Sequence, residues 1–197
     1  MCLAIFKPAK VAIPEARLRN GWVNNNDGAG FAYIKKGKVV SEKGFMFLSD
    51  FLPAYKEAST RHPASPFVIH FRIRSMGDKS PANTHPFTVE NGVMIHNGTI
   101  MGTGATYAAG PSDTAKFAET FGKDLDYATV LKHKKEFEDA IDFNKVVLLY
   151  NGGKHIILNE KQGSWKDDVW YSNHSFEARP TLCSTYSHGN GYHGMME

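Results

Sequence analysis

"GVMIHNGTI" occupies residues 92–100. Its first half is a short apolar run bounded by glycine, which reads as a buried strand. The run stops abruptly at His96-Asn97-Gly98. An Asn-Gly pair after a strand is ordinarily a turn, because both residues tolerate positive φ. Taken alone, the stretch supports that turn and nothing more.

Similar runs lie on either side. "PFVIHFRI" (66–73) reads as a second buried strand, and "KVVLLYNGGKHIILN" (145–159) as a hairpin around Asn151-Gly152-Gly153. An apolar run at 2–6 is a first strand, "FAYIKKGKVV" (31–40) a hairpin around Lys36-Gly37, and "VWYSNHS" (169–175) a short strand. "NNNDGAG" (24–30) is a polar, Gly-containing turn. Helices are expected from Pro14 to Asn20, over 50–61 with Asp50 as cap, from 112 with Ser112 or Asp113 as cap, and continuously through "YATVLKHKKEFEDAI" (127–141). Strands outnumber helices and most connections are hairpins. That predicts α+β architecture, an antiparallel sheet with helices packed on it. Residues 1–186 read as one domain, and "SHGNGYHGMME" (187–197) as a flexible Gly/His tail carrying His188 and His193.

Composition narrows the function classes. The chain has 197 residues, 42 % hydrophobic and 22 % charged, enough for one domain with a real core. A net charge of +3 is too small to argue for nucleic acid, and "KHKKEFED" (132–139) reads as a solvated helix face. No run approaches the roughly 18 apolar residues of a membrane span, and the N-terminus does not read as a signal peptide. The expectation is a cytoplasmic protein with no membrane or nucleic-acid partner. With two cysteines, Cys2 and Cys183, a disulfide framework is not expected, and no Cys/His spacing predicts zinc. No metal and no cofactor is called for.

Four places carry candidate chemistry. Cys2 directly follows the initiator methionine. With Met1 removed, it would hold a thiol and a free α-amino group whose reference pKa is about 7.7–8.0. One residue would then supply nucleophile and general base; the competing reading is a buried core cysteine. Arg72 ends a buried strand, where a guanidinium can grip a carboxylate bidentately or simply mark a loop mouth. Asn97 and Gly98 can converge an amide NH2 and a backbone N–H on a developing oxyanion, and glycine permits close approach. Asp113, at a helix start, can pair with an ammonium group or act as an ordinary cap.

Taken in this order, the pieces resemble class II glutamine amidotransferases, which belong to the N-terminal-nucleophile (Ntn) hydrolases. "MC" is similar to the processed cysteine nucleophile. "FRIRSMGDKSPANTHPF" (71–87) is similar to the family's Arg-x-x-Thr-x-Gly…Asn-x-His-Pro segment. "HNGTI" (96–100) matches His-Asn-Gly-x-Ile, "SDT" (112–114) matches Ser-Asp-Thr, and "NNNDGAGFAY" (24–33) resembles the Asp-Gly-x-Gly turn. "NTHPF" is closest to the small stand-alone bacterial members. The pattern runs from residue 2 to about 120; "VVLLYNGGKHIILNE" and "VWYSN" are similar in kind to the family's remaining hairpin.

The resemblance implies a four-layer αββα sandwich with two antiparallel sheets face to face. It implies Cys2 as nucleophile, Asn97 and Gly98 as oxyanion hole, Arg72 on the α-carboxylate of glutamine and Asp113 on its α-ammonium. Ser75 and His96 would belong to the substrate-binding set, and 73–82 would be a lid. The family usually has Thr where Ser75 stands, and both carry a hydroxyl. Arg74 replaces a small residue and Met76 an often polar one; these departures bear on the lid and the amide substrate. The implied activity is a glutaminase half-reaction, a hydrolase step serving a transferase, with ammonia passed to an acceptor on a separate synthase subunit. The alternatives are an amidohydrolase on another γ-glutamyl or related amide, such as an N-terminal amide, and a non-catalytic regulator binding glutamine or a partner protein.

Overall fold

The computed structural model describes residues 1–178. Cys183, His188, His193, the end of the expected domain at 186 and the tail at 187–197 lie outside the described residues. The chain opens with β1 (Leu3–Lys7), α1 (Glu15–Asn24), β2 (Ala29–Lys35), β3 (Lys38–Phe45), α2 (Leu48–Arg61) and β4 (Phe67–Phe71). It continues through β5 (Phe87–Val89), β6 (Gly92–Asn97), α3 (Asp113–Phe121), α4 (Tyr127–Lys132), α5 (Lys134–Ala140), β7 (Lys145–Tyr150), β8 (His155–Leu158), β9 (Ser164–Lys166) and β10 (Val169–Tyr171).

The strands form two antiparallel sheets. The larger has the order β3-β2-β4-β1-β10-β9 and the smaller β5-β6-β7-β8. Period-2 alternation sends each strand's side chains to two destinations. Leu3, Ile5, Phe31, Phe67, Ile69 and Phe71 join Leu18 of α1 and Phe51 of α2 in one core. Ala4, Phe6, Val68 and Trp170 of the larger sheet meet Val93, Ile95, Val147 and Leu149 of the smaller in a second. Met94, Val146, Leu148 and Leu158 face α3–α5 in a third, with Val130 and a flanking Phe117. The α+β class is therefore observed, with two antiparallel sheets sharing an apolar interior and helices on their other faces.

Several boundaries differ from the sequence reading. Pro14 precedes α1, which runs on to Asn24. Phe47 stands at the N-cap of α2 without a side-chain cap bond, and Asp50 lies in the first turn instead. The 127–141 segment breaks at His133 into α4 and α5, the first capped by Asp126, whose carboxylate accepts from Ala128 and Thr129 N–H. Of the two caps expected for α3, Ser112 serves, as the sequence reading allowed, its hydroxyl accepting from Ala115 N–H. Strands β5 and β9, three residues each, are too short to show alternation. Among the described residues no helix is long and apolar enough to cross a membrane.

Candidate active site

The site lies where β1, β4, β6 and β10 end together. Leu3 pairs with Phe71 in the β1–β4 ladder, so Cys2 lies beside the residues that leave β4. Its Sγ donates to Ile73 O at 3.3 Å and accepts from Ile73 N–H at 3.4 Å. Two residues past β10 complete the knot. Asn173 Nδ2 donates to Cys2 O at 2.7 Å. Ser172 Oγ accepts from both Ala4 N–H (2.9 Å) and Asn97 Nδ2 (2.8 Å). A single hydroxyl thus ties the N-terminal strand of the larger sheet to the end of β6 in the smaller.

Cys2, Arg72, Ser75, His96, Gly98 and Asp113 line one cavity of about 10 Å³. That is room for one water molecule. Asn97 lies behind it: its amide is buried and spends one N–H on Ser172, while its Oδ1 has no hydrogen-bond partner among the described residues. The second Nδ2 hydrogen remains to be given.

Gly98 is fixed as glycine twice over. Its φ of +146° is one that L side chains rarely adopt, and an added Cβ would sit 1.8 Å from Asn144 Oδ1. Asn144 is one of the residues the sequence reading missed. Its Nδ2 donates to Ile141 O, so its Oδ1 accepts from His96 Nε2 at 2.9 Å. His96 Nδ1 then accepts from the Thr114 hydroxyl at 2.8 Å. Both ring nitrogens of His96 are committed, so His96 borders the cavity as a brace between β6, α3 and Asn144.

Arg72 is buried and donates to Asp78 O (2.7 Å) and Met76 O (2.8 Å). Its fork therefore holds the 73–79 loop. Asp27 anchors the same loop by accepting from Arg74 N–H at 2.8 Å and pairing with Lys79. The loop docks on the glycine-rich segment after β6, through Gly77 N–H to Thr106 O (2.7 Å) and Asp78 N–H to Gly110 O (3.1 Å). Gly77 has φ +73°, and a Cβ there would meet Ser112 N at 2.7 Å. Asn83 fastens the far side, donating to Gly110 O at 2.9 Å and accepting from Ser112 N–H at 2.7 Å. Asp113 faces the cavity with one carboxylate oxygen occupied by Ile100 N–H at 2.6 Å.

Electrostatics define what the thiol needs. Burial pushes the Cys2 thiol above its ordinary 9.0, against the opposing pull of the Ile73 N–H, the chain's amino terminus and Arg72. At neutral pH it is protonated, so a nucleophilic role requires a base next to it. Burial also pulls Arg72 below the ordinary guanidinium range, countered by Cys2, Asp27, Asp113 and Asp78; a guanidinium is a cation in proteins all the same. Such a group beside a cavity suits an anionic ligand.

Ser172, Asn173, Asn83, Asp27 and Asn144 were all missed as site residues. Asn83 and Asp27 lie inside motifs already singled out, and Ser172 and Asn173 lie inside the predicted 169–175 strand, where a polar pair following an apolar run was the available signal. Asn144 had none. Among the described residues, no three histidine, cysteine, aspartate or glutamate side chains gather to hold a metal. No protein-family model matches the chain, and no curated protein matches it.

Proposed function

We propose that this protein is a class II glutamine amidotransferase of the Ntn-hydrolase type, cytoplasmic, with the αββα sandwich as its fold. The observation that carries the reading is the single cavity bordered by Cys2, Arg72, Ser75, His96, Gly98 and Asp113. These residues come from separate stretches of chain, and the motif resemblance implies each of them in the site. The order of the three cores, helix–sheet, sheet–sheet, sheet–helix, supports the sandwich.

In this reading Met1 is removed and the α-amino group of Cys2 takes the thiol proton. The thiolate attacks the side-chain amide carbon of glutamine, and the C=O π electrons collect on oxygen. Asn97 Nδ2 and Gly98 N–H donate to that oxyanion. The α-ammonium returns its proton to nitrogen, ammonia leaves, and a γ-glutamyl thioester remains. Water, giving a proton to the α-amine, attacks the thioester; Cys2 leaves as the thiol and glutamate is released.

Glutamine does not fit the closed cavity. Binding requires the 73–82 lid to lift, with Arg72 exchanging the carbonyls of Met76 and Asp78 for the α-carboxylate and Asp113 taking the α-ammonium. Clamping both ends favours a free amino-acid head group. The ammonia acceptor is proposed to reside on a separate synthase subunit.

The test is ammonia release from Met-processed protein given glutamine, other γ-glutamyl amides and N-terminal amides. Glutamine is expected to be hydrolysed fastest. No release from any amide overturns the enzymatic reading. An intact mass that retains Met1 on folded protein from its native host overturns the proposed base.

A further inference from the structure

The strand end bearing Asn97 and Gly98 has a feature the proposed reaction does not yet use. In an antiparallel ladder, the N–H and C=O of successive residues point to alternate neighbours. On one side of β6, strand β5 pairs Val89 with Gly92 and Phe87 with Met94. The ladder stops there: β5 begins at Phe87, and His85, which the register places opposite His96, lies outside it. The next backbone groups facing that side, those of His96, therefore find no strand. Two buried histidines stand there instead. His96 N–H donates to His85 Nδ1 at 3.1 Å, and His70 Nε2 lies 2.9 Å from His96 O. The two imidazoles stack on each other with centroids 3.8 Å apart and planes 7° from parallel.

These contacts dictate tautomers. An N–H can only be accepted by a bare nitrogen, so His85 is neutral with its hydrogen on Nε2. A carbonyl accepts, so His70 carries its hydrogen on Nε2 and leaves Nδ1 bare. That Nδ1 indeed has no partner among the described residues. Burial agrees, pulling His70 down to about 3 and His85 well below 6.5. His70 belongs to β4 of the larger sheet and His85 to the chain entering β5, so the pair locks the end of β6 to both. His85 also borders the cavity that holds Cys2.

We propose that His70 and His85 are positioning residues of this site: as a neutral stacked pair they replace the missing strand partner of His96 and so fix the peptide that presents Asn97 and Gly98 to the oxyanion. The catalytic consequence rests on the glutaminase reading; the clamp itself rests on the contacts above. Displacing such donors by about 1 Å costs on the order of 100-fold in rate.

Four variants and one spectrum test it. His85→Phe and His70→Phe keep an aromatic ring and remove the acceptor or the donor. His85→Asn and His70→Gln return an acceptor near Nδ1 and a donor near Nε2. The expected result is kcat for glutamine down about 10- to 100-fold in each Phe variant, KM within about threefold of wild type, and most of kcat restored by Asn and Gln. Phe variants with wild-type kcat, or Asn and Gln variants no better than Phe, overturn the proposal. Imidazole 15N shifts of the wild-type protein provide a readout independent of activity and of how the variants fold. Both rings are expected neutral with hydrogen on Nε2, and an Nδ1–H tautomer or a protonated ring for either overturns the clamp. A wild type that releases no ammonia overturns the glutaminase reading and the catalytic role together, while the spectrum still decides the clamp.

Discussion

The middles and the ends of the same three strands have opposite chemistry. Along their inward faces, β1 contributes Phe6 and Ala4, β4 contributes Val68, and β6 contributes Val93 and Ile95, all in the apolar cluster between the sheets. One or two steps of the same alternation later stand Cys2, His70 and Arg72, and Asn97. The register that buries the core is the register that delivers the polar groups, because antiparallel pairing brings the start of β1 beside the finish of β4. The middle tolerates only apolar volume. The end tolerates buried polar groups because each finds a specific partner: Ser172 for Asn97, Ile73 for Cys2, loop carbonyls for Arg72.

Substitutions can break that comparison. The largest effect is expected from Cys2→Ala, which removes the nucleophile and should abolish ammonia release from glutamine in a coupled assay while leaving the melting temperature close to wild type. Next comes Asn97→Ala. Loss of one oxyanion donor should lower kcat by about 10²–10³, roughly 3–4 kcal/mol of barrier, with little change in KM. Steady-state kinetics that instead show full kcat on a less stable protein would make Asn97 a purely structural partner of Ser172. Arg72→Ala should raise KM for glutamine more than it lowers kcat, by about 10- to 100-fold for the lost charge-assisted hydrogen bonds; an unchanged KM would detach Arg72 from the carboxylate.

The smallest effect on turnover belongs to the middle. Ile95→Ala, two residues before Asn97 and fully buried, should cost about 2–5 kcal/mol of stability in urea unfolding. Below its melting range it should keep kcat/KM within about twofold. If Ile95→Ala impaired turnover as severely as Asn97→Ala, the strand middle and strand end would be one mechanical unit and the comparison would fall.

Legibility in the sequence followed element length and locality. Strand β6 was readable as 92–96, one residue short of its end at Asn97, since Gly92 and three apolar positions precede a polar pair. The β2–β3 and β7–β8 hairpins were readable from Lys36-Gly37 and Asn151-Gly152-Gly153, whose turn chemistry is local. The break at His133 was not, because neither glycine nor proline marks it. Nor was the short ladder of β5, which offers three residues and no pattern. The site residues taken from the motifs border a common cavity, Asn97 excepted. Those found only in space, Ser172, Asn173 and Asn144, act through partners 48 to 171 positions away.

What the sequence determined by itself was most of the strands and helices, with β5, β9 and the break at His133 excepted, the α+β class, and a set of reactive side chains whose order resembles a known catalytic family. Hydrophobic period and turn chemistry act over a few residues, so they are written in the string. Only the tertiary structure decided that β1 pairs with β4 and β10, that one serine hydroxyl joins Ala4 to Asn97, and that two histidines complete the edge of β6 beyond the short β5. Those are choices between distant partners, fixed by the burial of two sheets against each other and by the need of each buried donor and acceptor for a mate.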